Sequence, residues 1–328
     1  MRLFITGGSG FVGGAVIRSL VDRHRILAMA RSDRAAETVS RLGADPVRCS
    51  LDDLTPDHLV GIEAVVHCAA YVASWGRPDD YWRANVEGTA RVVDAARKAG
   101  VRRLVHISTE SVLFTGDHLR AMDESWPYPD KTSFPYSASK GAAERLVREA
   151  AEQMETIVLR PILIWGPGDR TVLPELEEMA EAGRYVWVDG GRHRVSTTHV
   201  DNVAHAVGLA LEYGHSGAVY FITDGETTTY REFLTRYAAT AGVELGDRSV
   251  PGWLARWAGS LVEGAWKVVR PGREPPLNRF AVALLSHEIT VDSDKARREL
   301  GYQPKLTIES GLAALEQGSV PASRSEDR

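Results

Sequence analysis

Thr6-Gly7-Gly8-Ser9-Gly10-Phe11-Val12-Gly13 is a glycine cluster that directly follows the apolar run Leu3-Phe4-Ile5. Apolar residues then recur with helical spacing at Val12, Val16 and Leu20, so the cluster joins a predicted strand to a predicted helix. Glycines in such a turn let the backbone approach a pyrophosphate, which lies at the positively polarised N-terminus of the helix. The cluster fits both Gly-x-x-Gly-x-x-Gly and Gly-x-Gly-x-x-Gly, and it predicts a dinucleotide-binding turn rather than a turn that binds nothing.

The first half of the chain alternates short apolar runs with segments of helical period. The runs predict strands over Arg2 to Thr6, Arg25 to Ala30, Asp45 to Cys49, Ala64 to Cys68, Arg103 to Ser108 and Thr156 to Arg160. Continuous apolar strands separated by helices indicate a parallel sheet that is covered on both faces. The predicted fold class is therefore α/β, a Rossmann-type doubly wound parallel sheet, which binds ligands beyond the carboxyl ends of its strands.

The alternation weakens beyond Pro161, where Gly166-Pro167-Gly168, Gly190-Gly191 and Pro271 to Pro276 interrupt shorter elements. We expect residues 1–165 to form the dinucleotide-binding domain and residues 198–223 to return to its sheet. Residues 166–197 and 224–317 are expected to form a smaller C-terminal substrate-binding lobe. The polar residues 318–328 are expected to be a disordered tail.

Composition is that of an ordinary globular enzyme, with 328 residues, 44% hydrophobic and 25% charged residues. The net charge of −5 and the lack of a basic block argue against a nucleic-acid partner. Cys49 and Cys68 lie in apolar runs, which favours buried free thiols over a disulfide or a metal site. Met1 leads straight into a strand, leaving no room for a signal peptide, and no apolar span is long enough to cross a bilayer. We therefore expect a cytoplasmic protein.

The predicted second strand leads into Arg31-Ser32. An acidic residue at this place binds the adenosine ribose 2′-hydroxyl of NAD, whereas a cation can meet the 2′-phosphate of NADP. Arg31, with Ser32 as a hydroxyl donor, therefore predicts NADP(H) in preference to NAD(H). The alternative is that the arginine merely solvates a loop.

Tyr136-Ser137-Ala138-Ser139-Lys140 predicts a proton-transfer device. Residues four apart on a helix share one face, and a nearby ammonium favours the phenolate form of a tyrosine. Because Tyr136 follows Pro135 at a predicted helix start, the helix dipole favours the phenolate as well. We therefore expect the pKa of Tyr136 to be lowered toward neutrality, as suits a general acid or base between a carbonyl and an alcohol.

The chain resembles the extended short-chain dehydrogenase/reductase superfamily over nearly its whole length. The resemblance is carried by the N-terminal glycine cluster, His106-Ile107-Ser108-Thr109, Tyr136-x-x-x-Lys140, and Arg160-Pro161 running into Trp165-Gly166-Pro167-Gly168-Asp169. It implies that Thr109 positions the substrate oxygen, that Tyr136 donates or accepts the proton, and that Lys140 tunes the tyrosine and holds the nicotinamide ribose. It also implies hydride transfer between the nicotinamide and a carbonyl carbon, and a possible homodimer.

The remaining candidate residues follow from their positions relative to these landmarks. The predicted cofactor-binding residues are Gly7, Gly8, Ser9, Gly10, Phe11, Val12, Gly13, Arg31, Ser32, Ser50, Leu51, Ala69, Ala70, Lys140 and Pro161. The candidate substrate-binding residues are Ser74, Trp75, Tyr81, Glu110, Leu163 and Trp165. Ser50 stands where the family usually has an aspartate that contacts adenine. No metal site is predicted.

Two departures separate the chain from the sugar-nucleotide enzymes of the superfamily. Their dehydratases continue His-Ile-Ser-Thr with Asp-Glu, whereas this chain continues with Glu110-Ser111 and lacks the second carboxylate. Glu110 itself is expected to be a loop residue rather than a catalytic one. Sugar-nucleotide members also commonly have an asparagine where this chain has Leu163. The stretch from Glu274 to Phe280 resembles instead the 3β-hydroxysteroid dehydrogenase-like branch, which includes reductases of long-chain β-keto acids.

Trp253, Trp257 and Leu261 recur every four residues in a segment that also carries Arg256 and Lys267. This pattern predicts an amphipathic helix with an aromatic stripe. Three interpretations stay open: a packing helix of the smaller lobe, a lid over an apolar substrate, and a helix lying on a membrane surface.

The predicted function is NADP(H)-dependent interconversion of a ketone and a secondary alcohol on a hydrophobic small molecule, steroid-like or similar to a long-chain β-keto acid. One alternative is a sugar-nucleotide epimerase or reductase of the same superfamily. The other is a non-catalytic sensor of dinucleotides that regulates a partner.

Overall fold

The computed structural model describes residues 1–73, 75–269 and 279–319. Its strands are β1 Arg2–Thr6, β2 Arg25–Met29, β3 Asp45–Val47, β4 Ala64–His67, β5 Arg103–Ile107, β6 Leu119–Met122, β7 Glu155–Pro161, β8 Ile164–Trp165, β9 Trp187–Val188, β10 Arg194–Ser196, β11 Thr198–His199, β12 Val219–Ile222, β13 Thr227–Thr229, β14 Ser249–Val250 and β15 Ile289–Val291. Its α-helices are α1 Phe11–Leu20, α2 Asp33–Arg41, α3 Pro78–Tyr81, α4 Gly88–Lys98, α5 Pro135–Glu149, α6 Val172–Glu181, α7 Val200–Tyr213, α8 Tyr230–Ala239, α9 Gly252–Val269, α10 Arg279–Leu285, α11 Asp294–Leu300 and α12 Ile308–Ser319.

Seven parallel strands form the central sheet, in the order β12-β7-β5-β4-β1-β2-β3. The predicted Rossmann-type doubly wound sheet is therefore confirmed, and the six predicted strands end within two residues of the observed bounds. Strand β1 pairs with β2 on one side and with β4 on the other. The direction of winding reverses between β1 and β4, which is where such sheets open a crevice for a ligand.

Both faces of this sheet are covered, and alternate residues of β1 face opposite helix layers. Leu3 and Ile5 belong to a buried cluster with residues of α1 and α7, whereas Phe4 belongs to a second cluster with residues of α4 and α5. A strand buried on both faces needs an uninterrupted apolar run, and that is the pattern seen at Leu3-Phe4-Ile5.

The second half of the chain packs around its own apolar cluster, which includes Trp165, Trp187, Phe233 and Tyr237. A four-stranded sheet of order β13-β10-β15-β6 lies here and takes β6 from the first half of the chain. Strand β12 joins the central sheet beside β7. The division into a dinucleotide-binding domain and a substrate-binding lobe stays a prediction.

The chain's C-terminal end differs from expectation where the structure describes it. Gly318 and Ser319 continue α12, although residues 318–328 were expected to be a disordered tail. Helix propagation costs little once earlier turns are packed, and Leu312 of α12 is buried in the apolar cluster. Residues 320–328 lie outside the described part of the chain, as do Pro271 to Pro276.

A buried ion pair fastens α5 to the sheet. Glu144 of α5 and Arg160 of β7 approach to 2.6 Å between Oε1 and Nη2, and both side chains are almost completely buried. The hydroxyl of Ser108, just after β5, and the hydroxyl of Tyr128 also donate to the Glu144 carboxylate. A buried charge of this kind is tolerable only while its partners are in place.

We predict that Arg160→Met lowers the free energy of unfolding by about 3–5 kcal/mol, because it leaves the Glu144 carboxylate buried without a cation. The double variant Glu144→Leu/Arg160→Met should lose less than the single variant, since it removes both charges. Denaturant unfolding measures both. The control is Arg184→Met, which breaks an exposed pair with Glu178 and should cost less than about 1 kcal/mol. A loss no larger than that for Arg160→Met would contradict the prediction.

Candidate active site

The glycine turn after β1 is shaped so closely that two of its glycines leave no room for a side chain. Gly7 has φ +69°, and a Cβ there would lie 2.8 Å from the Ala69 backbone nitrogen. A Cβ on Gly13 would lie 2.2 Å from the Gly7 carbonyl oxygen. Helix α1 begins after Gly10, and no side chain caps it, which leaves its first-turn N–H groups directed at the crevice. This is a cradle that fits a pyrophosphate.

The end of β4 closes one side of this cradle. The Thr6 hydroxyl accepts the Ala69 N–H at 3.1 Å and lies 2.7 Å from His67 Nδ1. The other ring nitrogen of His67 lies 2.9 Å from the Thr89 hydroxyl. Ala69 is therefore fixed against the glycine turn, and Ala70 follows it in the same loop.

The second strand leads to the exposed pair Arg31 and Ser32. The Ser32 hydroxyl caps α2 by accepting the Ala35 N–H at 3.2 Å, and its own hydrogen is still able to donate to a ligand. The Ser50 hydroxyl, by contrast, donates to the Asp53 carboxylate at 2.6 Å. The other predicted cofactor residues lie near the carboxyl ends of the strands. Ser9, Phe11 and Val12 lie at the start of α1, and Gly8 packs against the core. Leu51 lies against Gly88, and Pro161 ends β7.

Helix α5 presents Tyr136, Lys140 and Glu144 at four-residue spacing, so the three share one face. Lys140 is buried, and its ammonium donates to the Ile107 carbonyl oxygen at 2.8 Å. Burial lowers the pKa of Lys140 to about 8, although the nearby Glu144 opposes this shift. Lys140 therefore loses its proton at a lower pH than an exposed lysine does.

Tyr136 differs from the expectation of a lowered pKa. The removal of water from around the hydroxyl raises its pKa, the charge of Glu110 raises it further, and the Thr109 hydroxyl opposes both. Lys140 does not produce the expected lowering, because its ammonium is turned to the Ile107 carbonyl. In this structure Tyr136 is thus held in the protonated form, which is the form of a proton donor.

Thr109, Glu110 and Ser111 form a compact buried group beside Tyr136. The Thr109 hydroxyl lies 2.7 Å from Glu110 Oε2 and also accepts the Ser111 N–H at 3.2 Å. The Ser111 hydroxyl lies 2.9 Å from Glu110 Oε1. Burial raises the pKa of Glu110, and the hydrogen bonds from both hydroxyls oppose the rise. The site therefore holds a carboxyl that the sequence analysis had treated as a loop residue.

Aromatic rings line the other side of Tyr136. The Tyr81 ring centroid lies 6.5 Å from that of Tyr136, and the Tyr81 hydroxyl donates to the Ala73 carbonyl at 2.7 Å. Phe280 of α10 lies 5.8 Å from Tyr136 and 5.2 Å from Phe134. Sequence reasoning did not place Phe280 in the site, because nothing in its local pattern shows that α10 packs near α5.

Asn85 was also missed by sequence reasoning. It is buried in a π-helical turn over Trp82–Glu87 and holds the loop after β4 through Tyr71, with 2.7 Å from the Tyr71 N–H and 3.2 Å to the Tyr71 carbonyl. It also donates at 3.0 Å to the Ser139 hydroxyl, which in turn donates at 2.9 Å to the Tyr136 carbonyl. A polar residue inside an apolar helical pattern was the available signal.

Of the candidate substrate-binding residues, Trp165 lies in the core of the second half of the chain. Trp165 is wholly buried in the cluster around Phe233, and its indole N–H donates to Asp224 at 2.7 Å. Its surroundings are those of a core residue and not of a pocket wall. Ser74 lies outside the described residues, whereas Trp75 is partly exposed in the loop before α3. Leu163 is partly exposed, and its backbone has φ +37°, a strained value for leucine.

The tryptophan stripe of α9 faces outward. Trp253, Trp257 and Leu261 are 66%, 60% and 53% exposed, whereas Ala255 of the same helix is buried with Val188 and Val282. The packing interpretation therefore does not hold for these three side chains. Among the described residues, no helix is both long and apolar enough to cross a membrane, and no group of His, Cys, Asp and Glu side chains is arranged to hold a metal ion.

The match to known families fits this geometry. Residues 4–251 match the model of the 3-beta hydroxysteroid dehydrogenase/isomerase family. The chain belongs to this family. The family is a branch of the extended short-chain dehydrogenase/reductases, and the chain is therefore an NAD(P)-dependent oxidoreductase.

Two named relatives and one solved structure are similar to this chain over almost their whole length. The chain is 41% identical, over 97% of its length and 96% of the relative's, to the 4-hydroxy-2-methyl-3-oxo-4-farnesyl-3,4-dihydroquinoline-1-oxide ketoreductase of Stigmatella aurantiaca. It is 38% identical, over 98% of its length and 100% of the relative's, to the 2-alkyl-3-oxoalkanoate reductase of Stenotrophomonas maltophilia (strain K279a). The crystal structure of gox2253 is similar with a TM-score of 0.76 and 28% identity, and the match covers 97% of this chain and 98% of that one.

We predict that Gly13→Ala weakens nicotinamide dinucleotide binding at least about tenfold, because the new methyl group would displace the Gly7 carbonyl that shapes the cradle. Protein fluorescence quenching by NADPH measures the dissociation constant. Gly14→Ala is the matched control, because its Cβ would have only ordinary contacts, the nearest at 3.5 Å. Equal binding by the two variants would show that the turn does not hold the cofactor.

Proposed function

We propose that the protein is an NADP(H)-dependent ketoreductase that converts a ketone on a hydrophobic substrate to a secondary alcohol, and catalyses the reverse oxidation. The observation that carries this proposal is the position of the protonated Tyr136 hydroxyl. It lies beside the Thr109 hydroxyl and against an aromatic wall, on the helix that also carries Lys140. A positioned acid, a second hydroxyl and a cation are what protonation of a developing alkoxide requires.

The residues of the cradle fit a dinucleotide, since Gly7, Gly10 and Gly13 let the turn close tightly before α1, whose N-terminus has no side-chain cap. Arg31 and Ser32 would hold the 2′-phosphate. When bound, the nicotinamide supplies the hydride. Tyr136 then gives its proton to the substrate oxygen, and Thr109 holds that oxygen in place. Lys140 gives one ammonium hydrogen to the Ile107 carbonyl, and its other hydrogens would hold the nicotinamide ribose.

The apolar substrate class is supported by the walls of the site and by the relatives. Tyr81 and Phe280 flank Tyr136, with Phe134 and Phe114 behind Phe280. Such rings favour contact with an apolar ligand and leave orientation to a few polar groups. The Stigmatella relative is named for a farnesylated quinoline and the Stenotrophomonas relative for 2-alkyl-3-oxoalkanoates. We infer that this chain likewise acts on a ketone that carries a long or fused apolar group.

We predict NADPH oxidation with long-chain β-keto acids or 3-ketosteroids and none with UDP- or dTDP-sugars, in a panel followed by absorbance.

The variant Tyr136→Phe tests the mechanism, since it removes one oxygen atom. It should reduce kcat at least about 100-fold and leave NADPH binding within about threefold, because only proton transfer is lost. Turnover of the nucleotide sugars alone would overturn the substrate class. Unchanged ketone reduction by Tyr136→Phe would overturn the mechanism.

We predict that Arg31→Ala weakens NADPH binding at least about tenfold and leaves NADH binding within about twofold, because only NADPH carries the 2′-phosphate. Arg41→Ala removes an exposed cation from the far end of α2 and serves as the control, with both affinities unchanged. An equal loss for NADPH and NADH in Arg31→Ala would show that Arg31 does not select the cofactor.

A further inference from the structure

The Glu110 carboxyl is buried in the site and has no role in the mechanism above. It is 7% exposed, and within residues 1–73, 75–269 and 279–319 no cation forms an ion pair with it. Its partners are the two neighbouring hydroxyls, Thr109 at 2.7 Å and Ser111 at 2.9 Å. Two tyrosines lie near it as well, Tyr136 of α5 and Tyr230 of α8. Burial raises the pKa of each, and an ionised Glu110 raises it further. Burial of a carboxyl whose partners are all neutral costs free energy of folding, and this cost points to a functional role for Glu110.

The hydrogen-bond capacity of Thr109 connects this carboxyl to the substrate. A threonine hydroxyl has one hydrogen and two lone pairs. The Ser111 N–H occupies one lone pair of the Thr109 hydroxyl. One hydrogen and one lone pair are left, and Glu110 and the oxygen of a bound substrate would share them. An ionised carboxylate only accepts, and it must therefore take the Thr109 hydrogen. A protonated carboxyl can instead donate to the lone pair, which frees the hydrogen.

We propose that Glu110 is a positioning residue whose protonation state sets the direction of the Thr109 hydroxyl. With Glu110 neutral, Thr109 donates to the oxygen of a bound ketone. With Glu110 ionised, Thr109 keeps its hydrogen on the carboxylate and offers the bound oxygen a lone pair, which suits an alcohol. This assignment rests on the proposed ketoreductase function and adds to it a control over which form of the substrate Thr109 recognises.

The consequence for pH follows from the environment of Glu110. Burial raises the pKa of Glu110, so the neutral form persists to higher pH than in an ordinary glutamate. Ketone reduction should be favoured below this pKa and should decline as the pH rises through it. The tyrosines that face Glu110 have raised pKa values and stay neutral over this range. The pKa of Lys140, lowered to about 8, adds a separate decline that is common to all the variants below.

Two variants separate these effects. Glu110→Gln keeps the shape and can donate to Thr109, but it does not ionise. Ser111→Ala removes a hydroxyl that stabilises the carboxylate, so the pKa of Glu110 should rise further. The kcat/KM for the ketone at saturating NADPH is measured against pH. The wild type should lose about tenfold per pH unit above the Glu110 pKa. The Glu110→Gln profile should lack this decline, and Ser111→Ala should move it to higher pH.

A spectroscopic readout makes the test independent of turnover. Infrared difference spectra between the wild-type chain and Glu110→Gln, with NADP⁺ bound, follow the protonated carboxyl band against pH. The band should persist above the usual range of a glutamate and should titrate at higher pH in Ser111→Ala. An ordinary carboxylate titration, or a band and a rate profile that Ser111→Ala leaves in place, would overturn the proposal. If the band behaves as expected and no ketone is reduced, the coupling of Glu110 to Thr109 and Ser111 stands and the ketoreductase function fails.

Discussion

The site depends on how α5 is fastened to the central sheet. Glu144 lies on the same face of the helix as Tyr136 and Lys140, and it is the residue that anchors this face by pairing with Arg160 of β7. The Ser108 hydroxyl reaches the same carboxylate from the end of β5. One buried ion pair thereby fixes the rotation and height of α5 against two strands. The position of Tyr136, two turns away on the same face of α5, therefore depends on that contact.

The same packing sets the charges of the site. The Lys140 ammonium is buried and donates to the Ile107 carbonyl. Burial lowers the pKa of Lys140 to about 8, and the Glu144 charge opposes this shift. Tyr136 is kept protonated mainly by loss of water, and Glu110 raises the pKa of Tyr136 further whenever it is ionised. Reduction of a ketone needs an acid that is protonated before the hydride arrives. The resting state of the site thus matches reduction more directly than oxidation.

The sequence predicted those parts of the fold and the site that depend on local pattern. The glycine turn, the strands of the first half and the shared face of Tyr136 and Lys140 all follow from spacing within one or two elements. Contacts between distant elements leave no such trace. The approach of Phe280 to Tyr136 depends on the packing of α10, and the burial of Trp165 depends on α8. The pKa of Tyr136 was predicted wrongly, because the partner of the Lys140 ammonium is a backbone carbonyl that no pattern identifies.

Two buried carboxyls near α5 show how surroundings decide the role of one residue type. Glu144 meets a guanidinium and two hydroxyls, and these contacts give it a structural role. Glu110 meets the Thr109 and Ser111 hydroxyls and backbone N–H groups, and burial raises its pKa and so favours its neutral form. Placing titratable groups of one type in opposed environments is a common way to divide acid from base within a site. Here the division separates Glu144, which holds the helix through Arg160, from Glu110, which lies beside Thr109 and Tyr136. A change of charge at Glu110 would leave the contact that fastens α5 in place.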